Sequence, residues 1–391
     1  MALDNGCSYV KINCMKKIFI SCAAALLSSL SLYSDDFKFG INKDVEIPSV
    51  SYSVDSSISN VDRNTIRGVK NLCLFSNEED ISSGLISAIK SANKTLEIAI
   101  YSLSNKAISD AILDVFKRGV SVRVVIDWGQ VSTSKIDPSV KALMDAKVPM
   151  KSLKGGGNYG IMHNKITIVD RSLLITGSYN YTVSANTKNF ENIVFITDKN
   201  NINSYVQYFE NMWSAGTDVY STSKSGYRLP AGVEQALLSR INSIRGNILK
   251  LINSSSRTID IAVYSISDSE IYNALTAARN RGVSIRIVTD RLQSTQSETV
   301  KSLANAGFDI KISDGYNKGM MHNKYAIFDG ATMVTGSFNW SNNAENYNWE
   351  NAIVLTSPYI AYFHRNFETI YNQSKPFIPS SPTDDEKPVS R

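Results

Sequence analysis

Apolar residues alternate with polar ones in two short stretches early in the chain. In TLEIAIYSLS (95–104), Ile98 and Ile100 share one face; in RGVSVRVVID (118–127), Val122, Val124 and Ile126 do the same. A period of two predicts strands. Between them Ile108, Ile112, Val115 and Phe116 recur at helical spacing, and Gly119 offers a C-terminal stop. A strand, a helix and a second strand in that order predict parallel neighbours in an α/β layer architecture. The pattern returns in TIDIAVYSIS (258–267) and RGVSIRIVTD (281–290), where Ser267 and Glu270 read as a capping box ahead of Ile271 and Leu275. Later in each region the apolar runs come in pairs. Asp329-Gly330 separates one pair and Asp170-Arg171-Ser172 the other, so hairpins are predicted there and the sheets are expected to be mixed.

The second region is therefore a copy of the first. The early strands are offset by 163 residues, whereas MHNKITIVDRSLLITGSYN (162–180) and MHNKYAIFDGATMVTGSFN (321–339) are offset by 159. A net four-residue deletion accounts for the change. It is placed between Asp127 and His163, in loop-like sequence that includes Lys154-Gly155-Gly156-Gly157. The chain thus reads as two α/β units of ordinary domain size, at 69–215 and 241–374. They are joined by a connecting segment at 216–240, preceded by a linker at 35–68 and followed by a Pro- and charge-rich tail at 375–391 that reads as disordered.

Composition changes this picture only at the N-terminus. Of 391 residues, 43% are hydrophobic and 20% charged, which suits a packed globular protein. A net charge of +5 admits nucleic acid or an anionic membrane surface as partner and demands neither. Met15-Lys16-Lys17 is followed by the apolar run IFISCAAALLSSLSLY, the pattern of a secretory signal peptide, so residues 1–34 read as a leader whose start is Met15. A secreted, periplasmic or envelope location is expected. Three of the four cysteines (Cys7, Cys14 and Cys22) fall in this leader, which leaves Cys73 and no internal disulfide. Removing the leader takes out Lys11, Lys16, Lys17 and Asp4 and lowers the charge to +3, weakening the case for nucleic acid.

The chemistry gathers in the copied stretch. Of only three histidines, His163 and His322 occupy the same place in the two copies. On a strand His163 and Lys165 point together, as do Ser178 and Asn180 after the hairpin. The second copy repeats the set with His322, Lys324, Ser337 and Asn339. Lysine, serine and asparagine all donate hydrogen bonds, so these donors beside an imidazole suit a phosphate group. Glu191 and Glu350 lie at the same spacing, 28 residues after His163 and His322. A carboxylate so placed can accept the other ring N–H of a histidine, fix its tautomer and stabilise the imidazolium.

The pattern His-x-Lys-x4-Asp followed by Gly-Ser-x-Asn, present twice, resembles the HKD signature of the phospholipase D superfamily. The resemblance covers about residues 70–375. It is closest to the branch of small bacterial endonucleases, phospholipases and mitochondrial cardiolipin hydrolases, whose members carry one motif per chain and dimerise. It implies two pseudo-twofold-related units, each a mixed sheet flanked by helices, with one composite active site at their interface and therefore a monomer. It also implies a phosphodiesterase acting through a phosphohistidine: His163 as nucleophile, His322 as general acid and base, with the reverse assignment open. Lys165, Lys324, Asn180 and Asn339 would hold the phosphoryl oxygens. Asp170 and Asp329 read as supporting turn residues; Ser178 and Ser337 are left between phosphate contact and support. No cofactor and no metal are expected. Phospholipid head groups lead as substrate, with peripheral membrane contact. A metal-independent nuclease follows, and a non-catalytic phosphate- or lipid-binding module stands as the alternative of another class. His364 reads as a helix-surface residue and Gly155–Gly157 as a flexible rim. Trp128, Tyr159, Tyr316 and Trp340 read as core or rim aromatics near the motifs.

Overall fold

The computed structural model describes residues 72–220 and 236–379; the expected leader and the linker at 35–68 lie outside them. Two eight-stranded mixed sheets account for the two copies. The first contains β1 (Cys73–Phe75), β2 (Thr95–Ile100), β3 (Ser121–Asp127), β4 (Met150–Leu153), β5 (Lys165–Val169), β6 (Leu173–Gly177), β7 (Asn192–Ile196) and β8 (Thr217–Asp218), in the order β1-β7-β6-β5-β2-β3-β4-β8. The second contains β9 (Ala236–Leu238), β10 (Thr258–Val263), β11 (Ser284–Asp290), β12 (Asp309–Ser313), β13 (Lys324–Phe328), β14 (Thr332–Gly336), β15 (Asn351–Leu355) and β16 (Lys375–Pro376). Its order, read from β9 to β16, is the same. β2 and β3 run parallel, as do β10 and β11, while each motif strand, β5 or β13, joins antiparallel to β2 or β10.

Three predicted boundaries move. β8 extends the first sheet beyond residue 215, and β9 lies inside the predicted connecting segment yet forms the edge of the second sheet beside β15. β16 falls in the predicted tail but pairs with β12. These edge strands are two or three residues long, too short to show a period. The length difference between the copies also divides. The offset is 163 at Val124 and Ile287, 160 at Met150 and Ile310, and 159 at the histidines. Most of it is thus lost in the turn after β3, and only one residue in the glycine-containing loop. The second-copy helix Ser269–Asn280 is capped by Asp268, not Ser267: the Asp268 carboxylate accepts from the N–H groups of Glu270 and Ile271. Gly119 has φ +85 just past the helix Lys106–Lys117, a left-handed position that glycine adopts without strain.

The motif strands β5 and β13 are buried along their whole length. Their alternation splits them between two cores. Val169 faces an outer core with the helices Ile81–Lys90 and Lys106–Lys117, whereas Ile166 and Ile168 face a central one. That central core is common to both copies. It joins Ile166, Ile168 and Val194 to Tyr325, Ile327 and Ile353, with the long helices Lys199–Ala215 and Tyr359–Gln373 packed into it. Burying one continuous apolar face between the sheets holds the two copies as one body.

Candidate active site

The segments just before β5 and β13 are stitched across the copies by backbone hydrogen bonds. His163 N donates to Trp349 O at 2.9 Å, and Trp349 N to Ile161 O at 2.9 Å; His322 N donates to Phe190 O at 3.0 Å, and Phe190 N to Met320 O at 2.8 Å. Each histidine thus lies alongside the glutamate-bearing segment of the other copy. His163 Nδ1 is 2.9 Å from Glu350 Oε1, and His322 Nδ1 is 2.8 Å from Glu191 Oε1. The equal spacing of 28 residues left the pairing open; the chain crosses the pairs.

Both glutamates are fully buried and held by matched donors. Glu191 accepts from Ser178 Oγ at 2.6 Å and Asn189 Nδ2 at 3.2 Å; Glu350 accepts from Ser337 Oγ and, at 2.9 Å, Asn348 Nδ2. The serines, also fully buried, therefore support the carboxylates and do not reach towards a phosphate. An ionised glutamate only accepts, so beside it a neutral histidine carries its proton on Nδ1 and leaves Nε2 unprotonated, and a proton taken up on Nε2 makes an imidazolium that the carboxylate stabilises. Neither Nε2 has a hydrogen-bond partner among the described residues. Tyr101 and Tyr264 stand edge-on to His163 and His322, with ring centres 5.0 and 4.9 Å apart.

Lys165 and Lys324 are buried, and each donates one hydrogen bond, at 2.6 Å, to the carbonyl of its own histidine. An ammonium has three donors, so the others are available to a ligand. Burial pulls Lys165 down to about 7, against attraction from Glu350, and Lys324 down to about 8, against Glu191 and Glu350. Each lysine feels both glutamates, which places the charged groups of both copies in one site. Burial also lowers both imidazoles, and His322 further through the two nearby lysines. It pushes Glu191 up to about 7, whereas pairing with His163 holds Glu350 below the ordinary carboxylate range despite burial.

Asn180 and Asn339 lie three residues past the ends of β6 and β14, not on the strands themselves. The side-chain oxygen of each is buried without a partner. Buried polar atoms are rarely left so; an amide oxygen accepts, so any contact with a phosphoryl oxygen falls to the Nδ2 group of the same side chain. Asp170 and Asp329 are turn residues with φ +50 and +53. Each carboxylate gathers three backbone N–H groups, those of residues 93–95 and 256–258 respectively. They tie the hairpin to the start of β2 or β10, remote from the histidines.

Other residues in the site carried weaker sequence signals. Asp127 and Asp290 end β3 and β11 and accept from Met162 N at 2.9 Å and Met321 N at 3.2 Å, pinning the residue before each histidine. The Asp that closes both copied strands was their one visible sign. Asn164 and Asn351 pair across the copies at 2.8 Å, as do Asn192 and Asn323 at 2.7 Å. The glycine loop packs closely against the other copy. A Cβ on Gly155 or Gly160 would lie 2.5 or 2.4 Å from Tyr347 O, so glycine is needed where this loop presses on the other copy. Trp340 is core, Trp128, Tyr159 and Tyr316 are exposed, and His364 sits on a helix 3.8 Å from Glu368. Cys73 is buried. Among the described residues no three His, Cys, Asp or Glu side chains gather where they could hold a metal ion.

The family described as "Cardiolipin synthase, PLD-like domain" matches residues 85–213 and 248–371, one segment in each copy and together well over half the chain. The chain belongs to this family of PLD-like domains. Among curated relatives, a mitochondrial cardiolipin hydrolase of Chlamydomonas reinhardtii is 35% identical over 129 residues, 32% of this chain and 57% of that protein. A phospholipase D of Rickettsia prowazekii (strain Madrid E) is 32% identical over 125 residues, 32% of this chain and 58% of that protein. The matched stretches thus span less than two thirds of those relatives. The crystal structure of a phosphatidylserine synthase from Haemophilus influenzae Rd KW20 superposes with a TM-score of 0.62 at 12% identity. It covers 78% of this chain and 87% of that one, and shows that the two-sheet fold is shared.

Proposed function

We propose that the protein is a phosphodiester hydrolase that acts on phospholipid head groups through a phosphohistidine. The carrying observation is the pair of imidazoles, each tethered through Nδ1 to a glutamate of the other copy, with Nε2 free beside lysines from both copies. The non-bridging oxygens of the substrate sit among the two ammonium groups and the side-chain amides of Asn180 and Asn339. His163 Nε2 attacks phosphorus as the neutral imidazole, while His322 starts as the imidazolium, its Nδ1–H held by Glu191; the bond to the leaving oxygen breaks as His322 Nε2–H gives that oxygen its proton. Water then attacks the phosphohistidine, gives its proton to His322, and the N–P bond breaks to release a phosphomonoester. Glu350 and Glu191 stabilise the positive charge that each ring acquires. One chain supplies both halves, so a monomer holds a complete site. The leader read at the N-terminus would deliver it to the envelope or beyond.

The test is hydrolysis in EDTA of phosphatidylcholine, cardiolipin, single-stranded DNA and duplex DNA, side by side. Phospholipid cleavage is expected, with His163→Ala and His322→Ala each losing roughly 10³-fold or more in kcat. Full activity in either variant would refute the composite site. Cleavage of DNA alone would transfer the same chemistry to a nuclease, and phosphate binding without turnover of any of the four would leave a binding module.

A further inference from the structure

The catalytic pieces of the two copies are the same residues in the same places, but the loops that frame them are not. Trp128 follows β3 where Arg291 follows β11, and Lys154 corresponds to Asp314. Tyr347 corresponds to Lys188, and Arg240 to Asn77. In a dimer of identical chains any change to one rim appears on the other. Fusion removes that constraint, and here the rims have diverged around an unchanged centre.

On the first rim the Lys154 ammonium lies 5.1 Å from the centre of the Trp128 ring. Lys154 O accepts from Trp349 Nε1 at 3.3 Å, and Trp349 O in turn holds His163 N, so this rim is built directly onto the site. The Arg240 guanidinium lies 4.7 Å from the Trp349 ring centre and donates to Tyr347 O at 3.2 Å. Neither Lys154 nor Arg240 has a carboxylate partner among the described residues. Trp128 is 49%, Tyr347 44% and Tyr159 84% exposed, although aromatics of this size normally bury most of their surface. The other rim differs: Arg291 is ion-paired to Asp314 at 2.7 Å, Tyr316 donates its hydroxyl to Asn77 O at 3.1 Å, and lysines, Lys188 and Lys318, stand where the first rim has Tyr347 and Tyr159.

We propose that the rim of Trp128, Tyr159, Tyr347, Lys154 and Arg240, and not its pseudo-twofold counterpart, docks the enzyme on an anionic phospholipid surface. The inference rests on the phospholipid reading above and adds to it a surface, a lipid charge and a direction of entry. Tryptophan and tyrosine settle at a membrane interface, where the ring leaves water and the polar edge stays wet. Unpaired cations beside them add attraction to anionic head groups. Cations stand on both rims, but among the described residues the first rim exposes three aromatics and the second Tyr316 alone, so the contact that a membrane interface rewards is one-sided.

Three proteins decide the matter: wild type, Trp128→Ser/Tyr159→Ser/Tyr347→Ser, and the second-rim variant Leu292→Ser/Tyr316→Ser, Leu292 being the exposed neighbour of Arg291. Each is sedimented with phosphatidylcholine vesicles with and without phosphatidylglycerol, and assayed on the soluble diester bis(p-nitrophenyl) phosphate. Wild type is expected to bind the phosphatidylglycerol vesicles preferentially. The triple variant should lose about tenfold or more of that binding and of vesicle hydrolysis while keeping soluble-diester turnover; the second-rim variant should keep all three. Equal vesicle binding by wild type and triple variant overturns the proposal, as does an equal loss in the second-rim variant. Should the triple variant also lose the soluble activity, Tyr159→Ser alone decides, with a several-fold loss of vesicle binding expected and no loss overturning the idea. Loss of oligothymidine binding in place of vesicle binding overturns it in favour of a nucleic-acid contact. Hydrolysis of a monomeric short-chain phospholipid keeps the two readings separate: its absence sinks the phospholipid function, whereas its presence with unchanged vesicle binding sinks the docking rim alone.

Discussion

His163 Nδ1 lies 2.9 Å from Glu350 Oε1, a carboxylate 187 residues away in the other copy of the repeat. The reciprocal contact joins His322 to Glu191, 131 residues apart. Each half of the site is therefore incomplete without the other at two levels, the reacting imidazole and the group that orients it.

Crossed pairing separates the two glutamates kinetically. Glu350→Ala should disable the histidine that attacks, and Glu191→Ala the one that protonates and activates water. Each should lower kcat by ~10²–10⁴-fold, in the range for losing the orienting acid of a triad. With p-nitrophenyl leaving groups, which need no protonation, Glu191→Ala should still give a stoichiometric burst and accumulate phosphoenzyme on His163. Glu350→Ala should give no burst. Quenched-flow measurement with mapping of the modified histidine reads both outcomes, and a burst confined to Glu350→Ala would reverse the roles.

The serines offer a test of support against contact. Ser178→Ala and Ser337→Ala each remove a donor from a fully buried carboxylate, which costs about 1–3 kcal/mol of stability. Because the hydroxyls face glutamate, kcat should fall while KM stays near its wild-type value. Urea unfolding and steady-state kinetics report the two effects; a rise in KM with unchanged kcat would mean that the serines touch substrate.

The pH profile should carry the mark of the buried lysines. With Lys165 near 7 and Lys324 near 8 in the free protein, both lose charge as pH rises through that range, and the anionic substrate loses its counter-charges. kcat/KM should fall there. In kcat the limb should lie higher, since a bound phosphodiester favours the charged ammonium. The acidic limb, set by deprotonation of the attacking imidazole, should lie below the ordinary value of about 6.5, because burial lowers His163. For stability the sign is the same in both lysines. A folded-state value depressed below the unfolded one means that the unfolded chain binds more protons, so this contribution rises with pH from about 7 towards the ordinary lysine value. A flat kcat/KM between about pH 6 and 9 would contradict the lowered lysines.

Asp170→Ala and Asp329→Ala should behave as stability variants. Each abandons three backbone N–H groups at a hairpin anchor, at a cost of about 1–3 kcal/mol. Activity per folded molecule should change less than about threefold. A far larger loss of kcat in a variant that remains folded would bring these residues into the mechanism.

The sequence by itself determined the two copied α/β regions and the histidines and lysines that they share. Period-two strands, a helical stripe and a repeated His-x-Lys pattern are local signals, and two copies made them legible through their shared frame. It could not determine which glutamate serves which histidine. Glu191 and Glu350 stand at identical spacings, so pairing within a copy and pairing across copies look the same along the chain. Tertiary structure decided between them because the shared core around Ile168, Tyr325 and Ile353 sets the sheets together, and the backbone bond from His163 N to Trp349 O lays each motif against the other copy's glutamate. The same holds for Asn164 with Asn351 and for the divergent rims. Contacts across more than a hundred residues depend on how packed surfaces meet, which local periodicity does not encode.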